Sequence, residues 1–299
     1  MNNYFELKIS INPEIEEIVS DICFTYLDCE GVVLAEETYK DLVMTATTEG
    51  TLRVFLNSIN QNPVEILKTE REILKERGFS DEELGSWEIT IDEKENQDWS
   101  KKWKEKWTVT HVTDKIAVVP SWLNYTAKDG EITITLDPGC AFGTGTHQTT
   151  QLCMKALEKY FKPNSTMADI GMGSGILGIL AKKLGASEVY GCDIDETVID
   201  VAKENALKNG ISEGDIVFEL NTADKIVKKY DFVCANILHN VLSEIMGDLK
   251  NIMKNDGILS LSGILDEKKP VVLEAIEKNE LKIIDTLTQD QWISFVCKR

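Results

Sequence analysis

Hydrophobic positions near the start of the chain alternate. Phe5, Leu7, Ile9 and Ile11 are separated by Glu6, Lys8 and Ser10, the period of a strand with one buried face. Asn12 then caps and Pro13 opens a helix. Its apolar residues, Ile15, Ile18, Val19, Ile22, Cys23, Tyr26 and Leu27, recur at three- and four-residue steps and form one stripe. Residues 32–34 predict a second strand, and Leu52, Val54 and Leu56 a third. Another helix starts at Pro63, turns Ile66, Leu67, Ile73 and Leu74 inward, and ends before Gly78. Residues 87–91 predict a fourth strand. Strand, helix, strand, strand, helix, strand is the ferredoxin-like order, which makes residues 1–95 a small α+β unit.

The pattern changes between Glu93 and Trp107. This run is polar and charged, and Trp99, Trp103 and Trp107 recur at four-residue intervals, on one face of a helix. A helical linker over residues 96–110 is expected, its tryptophans packing on a neighbouring domain rather than forming a substrate surface. Residues 116–120 and 132–136 predict a strand pair, and residues 148–161 a helix. From Met167 onwards strands and helices alternate. Strands are expected at the lead-in 167–168 and at 189–193, 216–220, 231–235 and 258–262, with helices at 176–184, 196–209, 241–253 and 268–278. That alternation predicts a mostly parallel sheet with helices on both faces over residues 111–299. The closing strands, 282–287 and 292–297, have only four residues between them, too few for a crossover, so they must form an antiparallel hairpin.

Two stretches carry candidate chemistry. Asp169-Ile170-Gly171-Met172-Gly173-Ser174-Gly175 lies between a strand and a helix, where alternate glycines let the backbone turn sharply and meet a ligand with main-chain atoms. About 20 residues on, Asp193 ends a strand at the place where open α/β sheets put a carboxylate for ribose hydroxyls. Counted from Gly171, the sixth position is Ile176, so the glycine spacing of a dinucleotide site is broken. A second glycine-bearing loop, Ala141-Phe142-Gly143-Thr144-Gly145-Thr146-His147, leads into the helix that carries Thr149 and Thr150. Asn236 ends the strand of residues 231–235 at the edge where such sheets bind ligands. Its side-chain amide offers a hydrogen-bond acceptor and two donors at that edge. The bland reading is a strand-end Asn that closes a turn. His147 and His239 are candidate bases, each expected to be structural or solvent-facing.

Charge narrows the partners. The chain carries a formal charge of −19, and residues 1–95 hold 8 Lys and Arg against 22 Asp and Glu, a net −14. Such a balance disfavours a nucleic-acid backbone, which needs a basic surface, and fits either a solvated acidic face or a docking module for a basic protein. The N-terminus has neither a basic patch nor an apolar stretch of the signal-peptide kind, and no run approaches the roughly 18 apolar residues of a membrane span, so a cytoplasmic protein is expected. The seven cysteines are scattered without a Cys-x-x-Cys pair, which points to buried thiols and to neither a disulfide framework nor a metal site.

Glycines at positions 1, 3 and 5 of the loop behind Asp169 resemble the first motif of class I S-adenosylmethionine-dependent methyltransferases. A parallel sheet closed by an antiparallel hairpin resembles their architecture. More specific are Asp98-Trp99 with Trp103-Lys104, Pro120-Ser121-Trp122, residues 136–147 through to Thr149-Thr150, Gly173-Ser174-Gly175-Ile176-Leu177 and Ala235-Asn236-Ile237-Leu238. Together they resemble the PrmA family, which methylates amino groups of large-subunit ribosomal protein eleven. The resemblance implies a substrate-recognition domain over residues 1–95, the linker, and a catalytic domain over residues 111–299. It implies S-adenosyl-L-methionine as cofactor, held by Thr150, Gly171, Asp193 and Asn236, with Asp169, Gly173, Phe142, Gly143, Thr144 and His147 around it. Asn236 becomes the expected catalytic residue, trimethylation of lysine and N-terminal amino groups the expected reaction, and a monomer the expected state. Met172, Cys140, Gln148 and His239-Asn240 depart from the family's usual residues, and Ile237-Leu238 stand where general amine methyltransferases carry two prolines. A methyltransferase of another amine and a silent binding protein of the same fold are the competing readings.

Overall fold

The structure, a computed structural model, describes residues 4–27, 29–35, 50–56, 58–59, 62–94, 107–137 and 145–299. It divides into two compact units at Trp107 and Thr108.

The first unit is built on β1 (Tyr4–Ile11), β2 (Cys29–Ala35), β3 (Gly50–Leu56) and β4 (Ile89–Lys94), in the order β2-β3-β1-β4 with every neighbouring pair antiparallel. Helices α1 (Glu16–Tyr26), α2 (Pro63–Glu76) and α3 (Asp81–Leu84) complete it. The alternation seen in the sequence is realised, because Leu7, Ile9 and Ile11 join Leu52, Val54, Leu56, Val19, Cys23, Leu67 and Leu74 in one core. Asn12 accepts from the Glu14 N–H at 3.1 Å, and a 3₁₀ turn, Pro13–Ile15, precedes α1. The fourth strand begins two residues later than its apolar run suggests. Trp87 has a φ of 53° and turns its indole N–H onto the Leu84 carbonyl at 2.9 Å, so its ring closes the core from a turn.

The second unit starts with a small sheet of β5 (Thr110–His111), β6 (Ile116–Val119) and β7 (Ile132–Thr135). Residues 96–106, where the linker helix is expected, lie outside the described residues, whereas Thr110 and His111 belong to this sheet. The main sheet comprises β8 (Thr166–Ile170), β9 (Glu188–Asp193), β10 (Ile216–Leu220), β11 (Tyr230–Asn236), β12 (Met253–Leu265), β13 (Lys282–Gln289) and β14 (Trp292–Lys298). Its order is β10-β9-β8-β11-β12-β14-β13. The pairs from β10 to β12 are parallel, whereas β14 runs antiparallel to both β12 and β13. The chain therefore moves outward from β8 through β9 to β10, then returns to the other side of β8 as β11. The switch point where such folds bind ligands lies between the C-terminal ends of β8 and β11.

The helices of this unit are α4 (Gln148–Tyr160), α5 (Ile176–Lys183), α6 (Thr197–Lys208), α7 (His239–Glu244), α8 (Met246–Asn251) and α9 (Lys269–Lys278). One helix was expected over 241–253, and two short ones stand there. The tail of that segment is claimed by the sheet, since the Tyr230 N–H donates to the Ile252 carbonyl at 2.8 Å and Met253 pairs with Tyr230. Strand β12 is correspondingly longer than expected and runs on through Gly263 to pair Ile264 and Leu265 with β14. Six cysteines lie among the described residues as free thiols, all buried except the half-buried Cys29. No helix among the described residues is long and apolar enough to cross a membrane.

Candidate active site at the switch point

Strand β8 delivers Asp169 to the sheet's C-terminal edge and the chain then turns through the glycine loop into α5. The loop is clipped to β9, because the N–H groups of Gly171 and Met172 both donate to the Cys192 carbonyl, at 2.9 and 3.1 Å. Its middle is held by Asp193, whose Oδ2 accepts from the Gly173 N–H at 3.0 Å. The other oxygen, Oδ1, accepts from Ile194 and Asp195 at 2.8 and 3.1 Å. Burial raises the Asp193 carboxyl above its ordinary value, and the three backbone donors oppose that rise. The carboxylate is half-buried, and three N–H donors leave one of its roughly four lone-pair positions for an outside hydroxyl.

Asp169 has no exposed surface. Its Oδ2 accepts from the Gly178 N–H at 3.2 Å, in the first turn of α5, where an anion meets both an orphan donor and the positive end of the helix. Its Oδ1 meets no donor among the described residues. Burial pushes this carboxyl up to about 7, the Gly178 bond works against the shift, and the charge of Asp193 adds to it. Asp169 therefore shapes the loop from beneath.

Asn236 ends β11, 7% exposed, opposite Ser262 of β12 in the register. Its Nδ2 donates to Thr150 Oγ1 at 3.3 Å, whereas its Oδ1 is a buried acceptor with no donor among the described residues. Thr150 is wholly buried in the first turn of α4. That turn is fixed from two sides. Ser262 Oγ donates to the Thr149 carbonyl at 3.0 Å, and His147 caps the helix by accepting the Thr149 N–H on Nδ1 at 3.3 Å. The same ring nitrogen lies 2.8 Å from Thr149 Oγ1. The His147 ring meets Trp292 edge-on at 4.9 Å between centroids. His239 opens α7, and its carbonyl accepts from Ser243 Oγ at 2.8 Å.

The structure thus brings Thr150, Asp169, Gly171, Gly173, Asp193 and Asn236 to one edge of the sheet, with His147 capping the adjoining helix. Phe142, Gly143 and Thr144 lie outside the described residues. Two contributors escape the motif reading. Asn205, 3% exposed, donates from α6 to the Ser174 carbonyl at 3.0 Å and so supports the loop's far side. A polar residue within the apolar stripe of Val198, Ile199, Ala202 and Ala206 is the signal that marks it. Ser262 has no such signal, because only the strand register sets it beside Asn236.

The family model for ribosomal protein L11 methyltransferase (PrmA) matches residues 3–299. The chain belongs to this family. A ribosomal protein L11 methyltransferase from Caldicellulosiruptor bescii is 34% identical over 310 residues, covering 99% of each chain. One from Alkaliphilus oremlandii is 35% identical over 279 residues, 93% of this chain and 88% of its own. Among solved structures, a ribosomal protein L11 methylase from Lactobacillus delbrueckii subsp. bulgaricus matches with a TM-score of 0.61 and 35% identity, over 64% of this chain and 99% of that one.

The site's own chemistry fits the nucleoside cofactor that the glycine spacing implies. The glycine loop is held in shape by Cys192 and Asp193, a carboxylate with remaining acceptor capacity stands at Asp193, and an acceptor without a donor among the described residues waits at Asn236.

Proposed function

We propose that this chain is an S-adenosylmethionine-dependent methyltransferase that modifies amino groups of ribosomal protein L11, working in the cytoplasm where that substrate is made. Membership of the family across residues 3–299 carries the reading, and the buried orphan acceptor on Asn236 supports it at the site.

When bound, the cofactor supplies an electrophilic methyl on a sulfonium that is its own leaving group, so positioning is most of what remains for the protein. Asp193 accepts from the ribose, the Gly171–Gly173 backbone lies against the ligand, and Asp169 holds that backbone in shape from below. Asn236 Oδ1 accepts an N–H of the incoming amine and turns its lone pair towards the methyl. An unsatisfied buried acceptor costs roughly 1–3 kcal/mol, and the amine relieves that cost on arrival. Thr150 keeps the amide from rotating. A lysine of pKa ~10.4 must shed a proton first, which costs on the order of 5 kcal/mol at pH 7, while an α-amino group near ~7.7 costs about 1 kcal/mol. Passage into the dry site favours the neutral amine, and no dedicated base is assigned.

Residues 1–95 form the recognition domain, the linker follows, and the catalytic domain begins with the second compact unit at Thr108. The net −14 on the first of these suits a basic ribosomal protein. Incubation of the purified chain with large-subunit ribosomal proteins and S-adenosylmethionine, read by intact-mass spectrometry, tests the assignment. Whole-methyl increments on L11 alone support it, and increments only on another protein or on a small amine overturn the substrate.

A further inference from the structure

The strands on either side of β11 both leave the site through a glycine with positive φ, Gly171 after β8 at +71° and Gly263 within β12 at +85°. Both face the same residue, Ile237, which follows Asn236. A Cβ on Gly171 would lie 2.3 Å from Ile237 Cγ2. One on Gly263 would lie 2.2 Å from the Ile237 carbonyl oxygen, 2.9 Å from its carbonyl carbon and 3.2 Å from its nitrogen. The first three separations fall well inside van der Waals contact, and the last is tighter than usual. Ile237 is thus seated by its side chain against one neighbouring strand and by its main chain against the other, and it also packs on the core of the unit.

The neighbouring amide tolerates little movement. The Asn236 Nδ2 to Thr150 Oγ1 bond, at 3.3 Å, is already longer than the usual N–H···O separation of about 2.9–3.0 Å, so a displacement of a few tenths of an ångström along it removes the restraint. One peptide separates that amide from the clamped residue.

We infer that Ile237 is the positioning residue for Asn236. Its γ-methyl occupies the space that Gly171 leaves, its carbonyl the space that Gly263 leaves, and the chain can then leave β11 only along the path that keeps the Asn236 amide on Thr150. The inference rests on the reading of Asn236 as the group that meets the amine, and it assigns to Ile237-Leu238 the task of fixing that group's exit from the strand.

The two contacts differ in kind, and this yields a rescue test. The Gly171 contact is with a side chain, so Ile237→Ala makes room for Gly171→Ala. The Gly263 contact is with main-chain atoms, so Ile237→Ala makes no room for Gly263→Ala. Single-turnover methyl transfer at saturating S-adenosylmethionine should fall by about 100-fold in Gly263→Ala, the scale of a misplacement near 1 Å. Adding Ile237→Ala should not restore it. Gly171→Ala should also lose rate, in part because alanine is strained at a φ of +71°, and Gly171→Ala with Ile237→Ala should lose less than the two single losses combined, because residues in contact couple. Ile237→Val, which keeps the carbonyl and the γ-methyl and loses one methylene, the mildest of the large-to-small changes, should stay within about twofold of wild type.

A second readout does not depend on catalysis. In the full chain labelled with ¹⁵N-asparagine, the Asn236 side-chain amide pair, identified by its loss in Asn236→Ala, should move in Gly263→Ala and in Gly171→Ala. In the Gly171→Ala, Ile237→Ala double variant it should lie nearer its position in Ile237→Ala than its position in Gly171→Ala. Wild-type rate and an unmoved amide signal in Gly263→Ala would overturn the inference, as would equal rescue of both glycine variants by Ile237→Ala. If Gly263→Ala does not fold, the Gly171 pair and the Val against Ala comparison at Ile237 decide the matter. A wild-type chain that methylates no amine, with the amide signals behaving as described, overturns the functional reading and leaves the positioning role standing.

Discussion

Asn236 donates from Nδ2 to Thr150 Oγ1, a bond that joins the end of β11 to the first turn of α4 across 86 positions of sequence. With the nitrogen so engaged, the amide oxygen is the atom left for a substrate. Asn236→Ala should lower methyl transfer by on the order of 100-fold, the scale of a mispositioned reacting group, while cofactor affinity falls less. Thr150→Ser keeps the hydroxyl and should retain most of the rate, whereas Thr150→Val should not. Single-turnover kinetics at saturating cofactor separate the two effects, and a wild-type rate for Asn236→Ala would reduce that residue to a turn former.

Ligand choice follows from Asp193. S-adenosylmethionine or S-adenosylhomocysteine should raise the melting temperature and NAD should not. Asp193→Ala should weaken cofactor binding by roughly 1.5–3 kcal/mol, the worth of hydrogen bonds to a charged group. Isothermal calorimetry measures it. Stabilisation by NAD equal to that by S-adenosylmethionine would contradict the broken glycine spacing.

The Asp169 carboxyl, raised from 3.8 to about 7, makes a pH prediction whose sign is opposite to that of a salt-bridged carboxylate. Between those two values the native state binds the proton more tightly than the unfolded chain does. Its contribution to stability is therefore fully present below pH 3.8 and is lost as pH rises through 7. The loss amounts to as much as about 4 kcal/mol at 1.36 kcal/mol per pH unit. Asp169→Asn removes the titration, so its melting temperature relative to wild type should climb between pH 5 and pH 8. A constant difference across that range would show that Asp169 is ionised throughout.

The acidic unit should govern the protein substrate and leave the cofactor alone. A fragment starting at Thr108 should bind S-adenosylhomocysteine with wild-type affinity and lose turnover on ribosomal protein L11. In the full chain, KM for that substrate should rise with salt, because charges on exposed surfaces are screened beyond about 8–10 Å at 0.10–0.15 M. Undiminished turnover by the fragment would assign the acidic unit another role.

What the sequence by itself determined is whatever depends on near neighbours. Alternation marked β1, three- and four-residue steps marked α1, and the short gap before Trp292 required an antiparallel β13–β14 hairpin. That the glycine loop, Asp193 and Asn236 stand at strand ends was legible for the same reason, since a sharp turn and a strand end are local events. Tertiary structure decided the rest. The helix expected at 241–253 gave up its last residues because Met253 found Tyr230 on a neighbouring strand, and a ladder partner outweighs local helical periodicity. The orientation of Asn236 waited on Thr150, the first turn of α4 waited on Ser262, and the glycine at 263 acquired a reason only once β12 lay against Ile237. None of these partners can be read by spacing, because strand order sets them beside one another, and strand order is fixed by the burial of the whole sheet.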